Sequence, residues 1–216
     1  MYALSSELCG EPLSPLRVLL SVSDDTILTG SAEGMLTVWT RNTPTTWNRE
    51  LLFGGAGLHG DKGLLLSLCT AEDPYTCYSG GSDGTVKQWQ WTQGGTLVAE
   101  KQGHSGPVCA LTWHPSTGLV SGSFDQTSRM WKYNHVLGGH PHGVQVLALD
   151  NGDVITASGT RSSGTLYWWN NGNKTKTIED AHNRKIIEMY KAMKLILYRC
   201  CKKTCCSPIR ICQLWK

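Results

Sequence analysis

One segment of this 216-residue chain has the residue pattern of a catalytic nucleophile. The run Gly80-Gly81-Ser82-Asp83-Gly84 fits G-x-S-x-G, in which a serine is held on a strand-to-helix turn beside a base and an oxyanion hole. Here the flanking residues alternate as strands do, and the segment belongs to a repeat whose other copies lack the match. We therefore interpret it as a turn between two strands, with a serine hydrolase at Ser82 as a remote alternative.

The cysteine thiols are a second set of side chains that could do chemistry. Five of the 9 cysteines lie in the last 17 residues, at Cys200, Cys201, Cys205, Cys206 and Cys212. Zinc sites pair two C-x2-4-C units about 12–20 residues apart, and a second unit is missing here unless His182 or Cys212 contributes. Acylation of cysteines beside lysines would anchor a membrane surface. A tail with no selected role is the third interpretation, and we predict neither a metal nor a cofactor.

Tryptophans recur at nearly regular intervals in residues 1–183. Four segments join a turn to a short strand ending in Trp39, Trp89, Trp131 or Trp169, with spacings of 50, 42 and 38 residues. One four-stranded propeller blade takes about 40–45 residues. Because no part of this stretch has a helical period, the predicted fold is an all-β propeller of about four blades.

Histidines precede three of these tryptophans at similar distances. His59, His104 and His140 lie 30, 27 and 29 residues before their tryptophans. In such a blade the turn aspartate can hydrogen-bond to the imidazole, the imidazole to a strand hydroxyl, and that hydroxyl to the tryptophan indole. Because these groups are buried, each of them needs a hydrogen-bond partner. We therefore expect His104 and His140 to be structural rather than metal ligands or bases.

The predicted network is complete in the third repeat only. Its members there are His104, Ser121 or Ser123, Asp125 and Trp131. The second repeat keeps Asp83 and Trp89. The first has Glu33 for aspartate and no histidine, and the fourth has Ser163 where aspartate belongs.

These residues resemble the WD-repeat signature over most of residues 1–183, and a narrower resemblance accompanies it. Tyr2–Leu8 is similar to the opening of the phospholipase A-activating protein family, with Glu11 where that family has a histidine. The segment 119–131 resembles the family's third blade, and 151–155 a turn that it uses.

This resemblance implies a non-enzymatic ubiquitin-binding adaptor in ubiquitin-dependent protein degradation. Family members carry a seven-bladed propeller, a ubiquitin-binding domain and a helical repeat that docks an AAA ATPase. We expect the ATPase-docking region to be absent and the partners to be ubiquitin or ubiquitinated proteins. The alternative is a WD-repeat subunit of another complex, such as a ligase substrate receptor or a signalling scaffold.

Charge divides the chain into two parts. Residues 1–183 hold 11 basic and 16 acidic side chains, whereas residues 184–216 hold 9 basic side chains and one acidic. The excess of basic over acidic side chains therefore belongs to the tail, and we do not predict specific nucleic-acid recognition from it. No apolar run is long enough to span a membrane, and no secretory signal is evident, so we expect a location in the cytoplasm or the nucleus.

The propeller pattern stops near residue 183. The segment 186–198 is compatible with a helix, and no further glycine follows Gly172. We expect an incomplete propeller, 1–183, followed by an unrelated tail, 184–216. An open ring exposes blade edges and an apolar face, which predicts low solubility of the isolated chain and rescue by dimerisation or a partner.

Overall fold

The computed structural model describes residues 15–44, 46–53, 58–59, 63–91, 95–159, 163–179 and 181. Within these ranges the secondary structure is sixteen strands in four antiparallel sheets, each made of four strands that are consecutive in the chain. Each sheet is a blade built from local sequence. No helix in the described part is long and apolar enough to cross a membrane.

The strands of the first two blades follow one another without crossovers. Blade 1 comprises β1 (Leu16–Ser23), β2 (Thr26–Ser31), β3 (Leu36–Thr43) and β4 (Thr46–Phe53). Blade 2 comprises β5 (Leu65–Thr70), β6 (Thr76–Gly81), β7 (Val86–Gln90) and β8 (Thr96–Lys101).

Blades 3 and 4 repeat this order. Blade 3 comprises β9 (Val108–His114), β10 (Gly118–Ser123), β11 (Ser128–Met130) and β12 (His135–Leu137). Blade 4 comprises β13 (Val144–Ala148), β14 (Val154–Gly159), β15 (Gly164–Asn170) and β16 (Asn173–Ile178).

The tryptophan repeat corresponds to the third strand of each blade. Trp39, Trp89 and Trp169 lie in β3, β7 and β15, and Trp131 directly follows β11. The all-β class and the incomplete propeller are both confirmed by this architecture. The Tyr2–Leu8 opening, His182 and the basic tail lie outside the described residues.

The apolar cores lie between blades rather than within them. One buried cluster joins blades 1 and 2, a second joins blades 2 and 3, and a third joins blades 3 and 4. A single four-stranded sheet cannot bury its faces alone, so each blade depends on its neighbour. The innermost strands β1, β5, β9 and β13 pack in succession.

Glycine in the second strand allows the close approach of the next blade. A Cβ placed on Gly30 would collide with Leu65, and one on Gly122 would collide with the carbonyl oxygen of Val144. The innermost-strand residues that reach these glycines, Leu65 and Val144, are both 0% exposed. Contact between successive blades therefore requires a residue without a side chain at this position.

The arc is open at blade 1. Leu16 pairs with Ser31 as Leu65 pairs with Gly81, yet Leu16 is 53% exposed and Leu19 is 59% exposed. Among the described residues, no packing comparable to that between neighbouring blades joins β13 to β1. At the other end, Ala157 of β14 occupies the place that glycine has in the other blades and is only half-buried.

Candidate interaction face and its supporting network

A chain of hydrogen bonds crosses blade 3 from its surface turn to its core. His104 Nδ1 lies 2.8 Å from Asp125 Oδ2, and His104 Nε2 lies 2.7 Å from Ser121 Oγ. Trp131 Nε1 donates to the same Ser121 Oγ at 2.9 Å. The structure places Ser121 in this chain, whereas Ser123 Oγ donates to the carbonyl oxygen of Gly106.

The electrostatics of the chain favour a neutral imidazole beside a charged carboxylate. Burial lowers the pKa of His104, although the hydrogen bond to Asp125 opposes this shift. Burial alone would raise the pKa of Asp125, but hydrogen bonds from Thr127 and His104 lower it. His104 then donates from Nδ1 to Asp125 and accepts from Ser121 at Nε2. Every polar atom is satisfied without a buried positive charge.

Blade 2 forms the same arrangement from its own residues. His59 Nδ1 lies 3.0 Å from Asp83 Oδ1, His59 Nε2 lies 2.8 Å from Ser79 Oγ, and Trp89 Nε1 donates to Ser79 Oγ at 2.7 Å. Burial would raise the pKa of Asp83, but hydrogen bonds from His59 and Thr85 lower it to about 2. His59, 30 residues before Trp89, thus makes in blade 2 the contacts that His104 makes in blade 3.

Blade 4 replaces the aspartate with a neighbour's backbone. His140 Nε2 lies 2.7 Å from Thr156 Oγ1, to which Trp169 Nε1 donates at 2.8 Å. His140 Nδ1 donates to the carbonyl oxygen of Gln126, 3.2 Å away in the β10–β11 turn of blade 3. The acceptor missing from blade 4 is therefore supplied by the adjacent blade.

The strand hydroxyls of three blades were missed by the sequence reasoning. Trp39 Nε1 donates to Thr29 Oγ1 at 2.9 Å, and the corresponding acceptors elsewhere are Ser79 and Thr156. A signal was available, because in blades 1 to 3 the hydroxyl residue lies ten positions before the tryptophan. This distance follows from the turn length and the register in which the second and third strands pair.

The nucleophile geometry required by G-x-S-x-G is not formed at Ser82. Ser82 lies in the turn between β6 and β7, and its Oγ accepts from the backbone nitrogen of Leu64 at 2.9 Å. The histidine of this blade, His59, bonds Asp83, Thr85 and Ser79 instead. No group of three or more metal-ligating side chains is present in the described residues.

The described cysteines are buried or half-buried and free. Burial raises the pKa of the Cys69 thiol and raises that of Cys77 to about 12. The pKa of Cys109 is also raised, chiefly by burial. These thiols remain protonated at neutral pH and are poor nucleophiles.

In blades 1 to 3 the turns between second and third strands form one face of the arc together with the loops that carry His59, His104 and His140: Gly34 lies against Gly63, Gly84 lies against His104, and the carbonyl oxygen of Gln126 accepts from His140. On this face Phe124, in the β10–β11 turn, is 59% exposed. Its ring lies over the loop at Gly143, where an added Cβ would be 2.6 Å from Phe124 Cδ1. The backbone of this turn is held because the amide of Phe124 donates to the carbonyl oxygen of Pro107 at 3.0 Å. We call this face the histidine-loop face.

These features are those of a WD40-type β-propeller fold, of which the described residues form four blades. Residues 56–90 and 95–132 match the family model described as WD domain, G-beta repeat, which covers most of blade 2 and blade 3. These are the two blades in which a histidine bonds an aspartate.

Solved WD40 propellers have the same fold as this chain. The WD40 β-propeller domain of Doa1 superposes with a TM-score of 0.66 at 24% identity, covering 82% of this chain and 58% of that one. The RRP9 WD40 repeats superpose with a TM-score of 0.62 at 19% identity, covering 78% and 52%. Likeness at these identities shows the fold alone.

Curated relatives include a ribosome biogenesis protein, YTM1. The YTM1 of Kluyveromyces lactis is 28% identical over 121 residues, which are 48% of this chain and 26% of that protein. The match thus spans about a quarter of the relative's length. These comparisons support a WD-repeat propeller and do not single out the phospholipase A-activating protein family.

Proposed function

We propose that this chain is a non-enzymatic protein-interaction scaffold that binds its partner on the histidine-loop face. The observation that carries the proposal is the exposed Phe124 ring on a turn whose backbone is fixed by hydrogen bonds. Asp125 accepts from the amides of Ser105 and Thr127 at 3.0 and 2.9 Å, and Ser123 Oγ accepts from the amide of Asp125 at 3.1 Å. An aromatic side chain held this way loses little entropy when it enters a partner's pocket.

We further propose that the partner belongs to a ribosome biogenesis complex. The support is the similarity to YTM1, a ribosome biogenesis protein, to which about half of this chain aligns. This assignment would place the chain in the nucleus rather than in the cytoplasm. A ubiquitin adaptor, the role implied by the resemblance to the phospholipase A-activating protein family, is the second candidate, and the Doa1 propeller shares its fold with this chain.

One variant and its matched control test whether the histidine-loop face binds the partner. Phe124→Ala should abolish co-sedimentation of the full-length tagged chain with ribosomal precursor particles on a sucrose gradient. Tyr75→Ala is the matched control, because Tyr75 is 51% exposed but lies in the β5–β6 turn at the other end of its blade. Equal loss in both variants, or retention in Phe124→Ala, would contradict the proposed face.

Titration separates the two candidate partners. Unlabelled ubiquitin added at millimolar concentration to the ¹⁵N-labelled chain should leave the amide resonances of the β10–β11 turn in place. Ubiquitin-dependent shifts at Phe124 and its neighbours, with no precursor particles bound, would favour the adaptor role over ribosome biogenesis.

A further inference from the structure

Where blades 2 and 3 meet at the rim, Lys101 and Arg129 each contact the neighbouring blade, and neither forms an ion pair with a described carboxylate. Lys101 Nζ is 5.9 Å from the ring centroid of Trp131. Arg129 lies against Gly103, where an added Cβ would be 3.0 Å from Arg129 Nη1. We call the surface formed by Lys101, Gly103, Arg129, Trp131 and Val136 the rim site.

The guanidinium of Arg129 is incompletely satisfied. Its Nε is inaccessible to solvent and has no hydrogen-bond partner. Among the described residues, no carboxylate lies within ion-pair distance of Lys101 or Arg129, whereas the nearby Glu100 pairs with Lys87 at 3.5 Å. Because Arg129 is half-buried, an acceptor from outside would bond the guanidinium nitrogens other than Nε.

The two cations lie on one face at the end of the third strand of blade 3. Arg129 and Trp131 are two residues apart, so their side chains share a face, and Lys101 Nζ lies 5.9 Å from the ring centroid of Trp131. Alternate side chains of an extended peptide likewise share one face. Val136, 51% exposed and paired in register with Arg129, offers an apolar contact beside the charges.

We infer that the rim site binds an extended acidic peptide segment with carboxylates at alternate positions and an apolar residue between them. One carboxylate accepts from Arg129 and the other from Lys101, while the apolar residue contacts Val136. Two cations suit two carboxylates, whereas a nucleic acid needs several phosphate contacts for appreciable affinity. The rim site adjoins the histidine-loop face at Gly103, but its ligand contacts at Arg129, Lys101 and Val136 do not include Phe124, and the inference does not depend on the proposed function.

The site can be tested with a defined probe. A fluorescein-labelled Gly-Glu-Val-Glu-Val-Glu-Gly peptide should bind the full chain in fluorescence anisotropy, and the peptide with glutamine for glutamate should not. Arg129→Gln and Lys101→Gln should each weaken binding about tenfold. Arg49→Gln and Lys176→Gln are matched controls, because Arg49 and Lys176 also lie over tryptophans, at 5.9 and 5.4 Å, and should leave affinity unchanged.

A second measurement uses only the natural chain, so it does not depend on whether a variant folds. Burial is the main cause of the low pKa of His104, and the charge of Arg129 adds to it. A bound carboxylate offsets that charge, so the acidic peptide should raise the pKa of His104 measured by NMR. His140, whose pKa is lowered by burial and by Lys174, should not respond. An unmoved His104, equal binding of the glutamine peptide, or binding of a short oligouridine instead would overturn the inference.

Discussion

At the scale of single residues, the molecule is organised by buried histidines, each hydrogen-bonded at both ring nitrogens. His59, His104 and His140 each bridge a surface turn and a buried hydroxyl. The acceptor at Nδ1 is a carboxylate in two blades and a backbone carbonyl in the third. Each imidazole therefore needs a hydrogen-bond acceptor at Nδ1, but that acceptor need not be an aspartate. Ser163 and the lost aspartate of blade 4 therefore do not break the network.

Stability should fall as the pH is lowered from 7.5 to 5. The pKa values of His104 and His140 are lowered by burial, so below about 6.5 the unfolded chain takes up protons that the folded chain refuses. Asp83, with a pKa of about 2, adds a further loss as the pH falls from about 4 through 2. Thermal melts at stepped pH measure both.

The exposed His142 supplies the control for this pH dependence. His142→Asn should keep the same dependence of Tm on pH as the natural chain. A Tm that is constant between pH 7.5 and 5 would show that the buried histidines are not the groups that take up protons.

At the scale of elements, the close contact of second strand and neighbouring first strand joins one blade to the next. Gly30, Gly80 and Gly122 occupy this position in blades 1 to 3, against Leu65, Val108 and Val144. Because the cores lie between blades, a change at this contact acts on two sheets at once.

Gly122→Ala should destabilise the chain by about 1–3 kcal/mol, since the new methyl group meets the backbone carbonyl of Val144, which cannot rotate away. Gly138→Ala is the control, because nothing lies within 4 Å of a Cβ at that position, and its effect should be near zero. Urea denaturation of the two variants measures the difference. Equal stabilities would mean that the blade junction relaxes freely.

At the scale of the whole molecule, four blades form an arc whose ends differ. Blade 1 presents Leu16 and Leu19, the counterparts of residues that are buried in later blades. Blade 4 presents Ala157 at its free face. In a repeat protein each unit is stabilised mainly by its neighbours, so the end blades are expected to open first.

The exposed leucines should make the isolated chain self-associate. Leu16→Lys together with Leu19→Lys should shift the chain toward monomer, because charge on this face opposes burial against another surface. Val98→Lys, at a valine that is 54% exposed in the outermost strand of blade 2, is the control and should not. Light scattering after size exclusion gives the masses, and a monomeric natural chain with a cooperative melt would contradict the expectation.

Much of this fold could be predicted because its information is local. A blade is one continuous segment, so the turn, the strand and the tryptophan recur at a readable distance, and each of the four tryptophans lies in or directly after the third strand of its blade. The number of repeats in the sequence also indicated an incomplete propeller. The partner of each histidine was only partly readable, since Ser121 and Ser123 satisfy the same pattern.

The sequence by itself determined the repeating unit, because hydrophobic alternation and turn residues act between near neighbours. Only the tertiary structure decided that Ser121 rather than Ser123 contacts His104, that the carbonyl oxygen of Gln126 replaces an aspartate, and that Arg129 and Lys101 have no ion pair with a described carboxylate. Each of these facts is a distance between residues from separate strands or blades. Such distances are set by how sheets pack on one another, which no local pattern specifies.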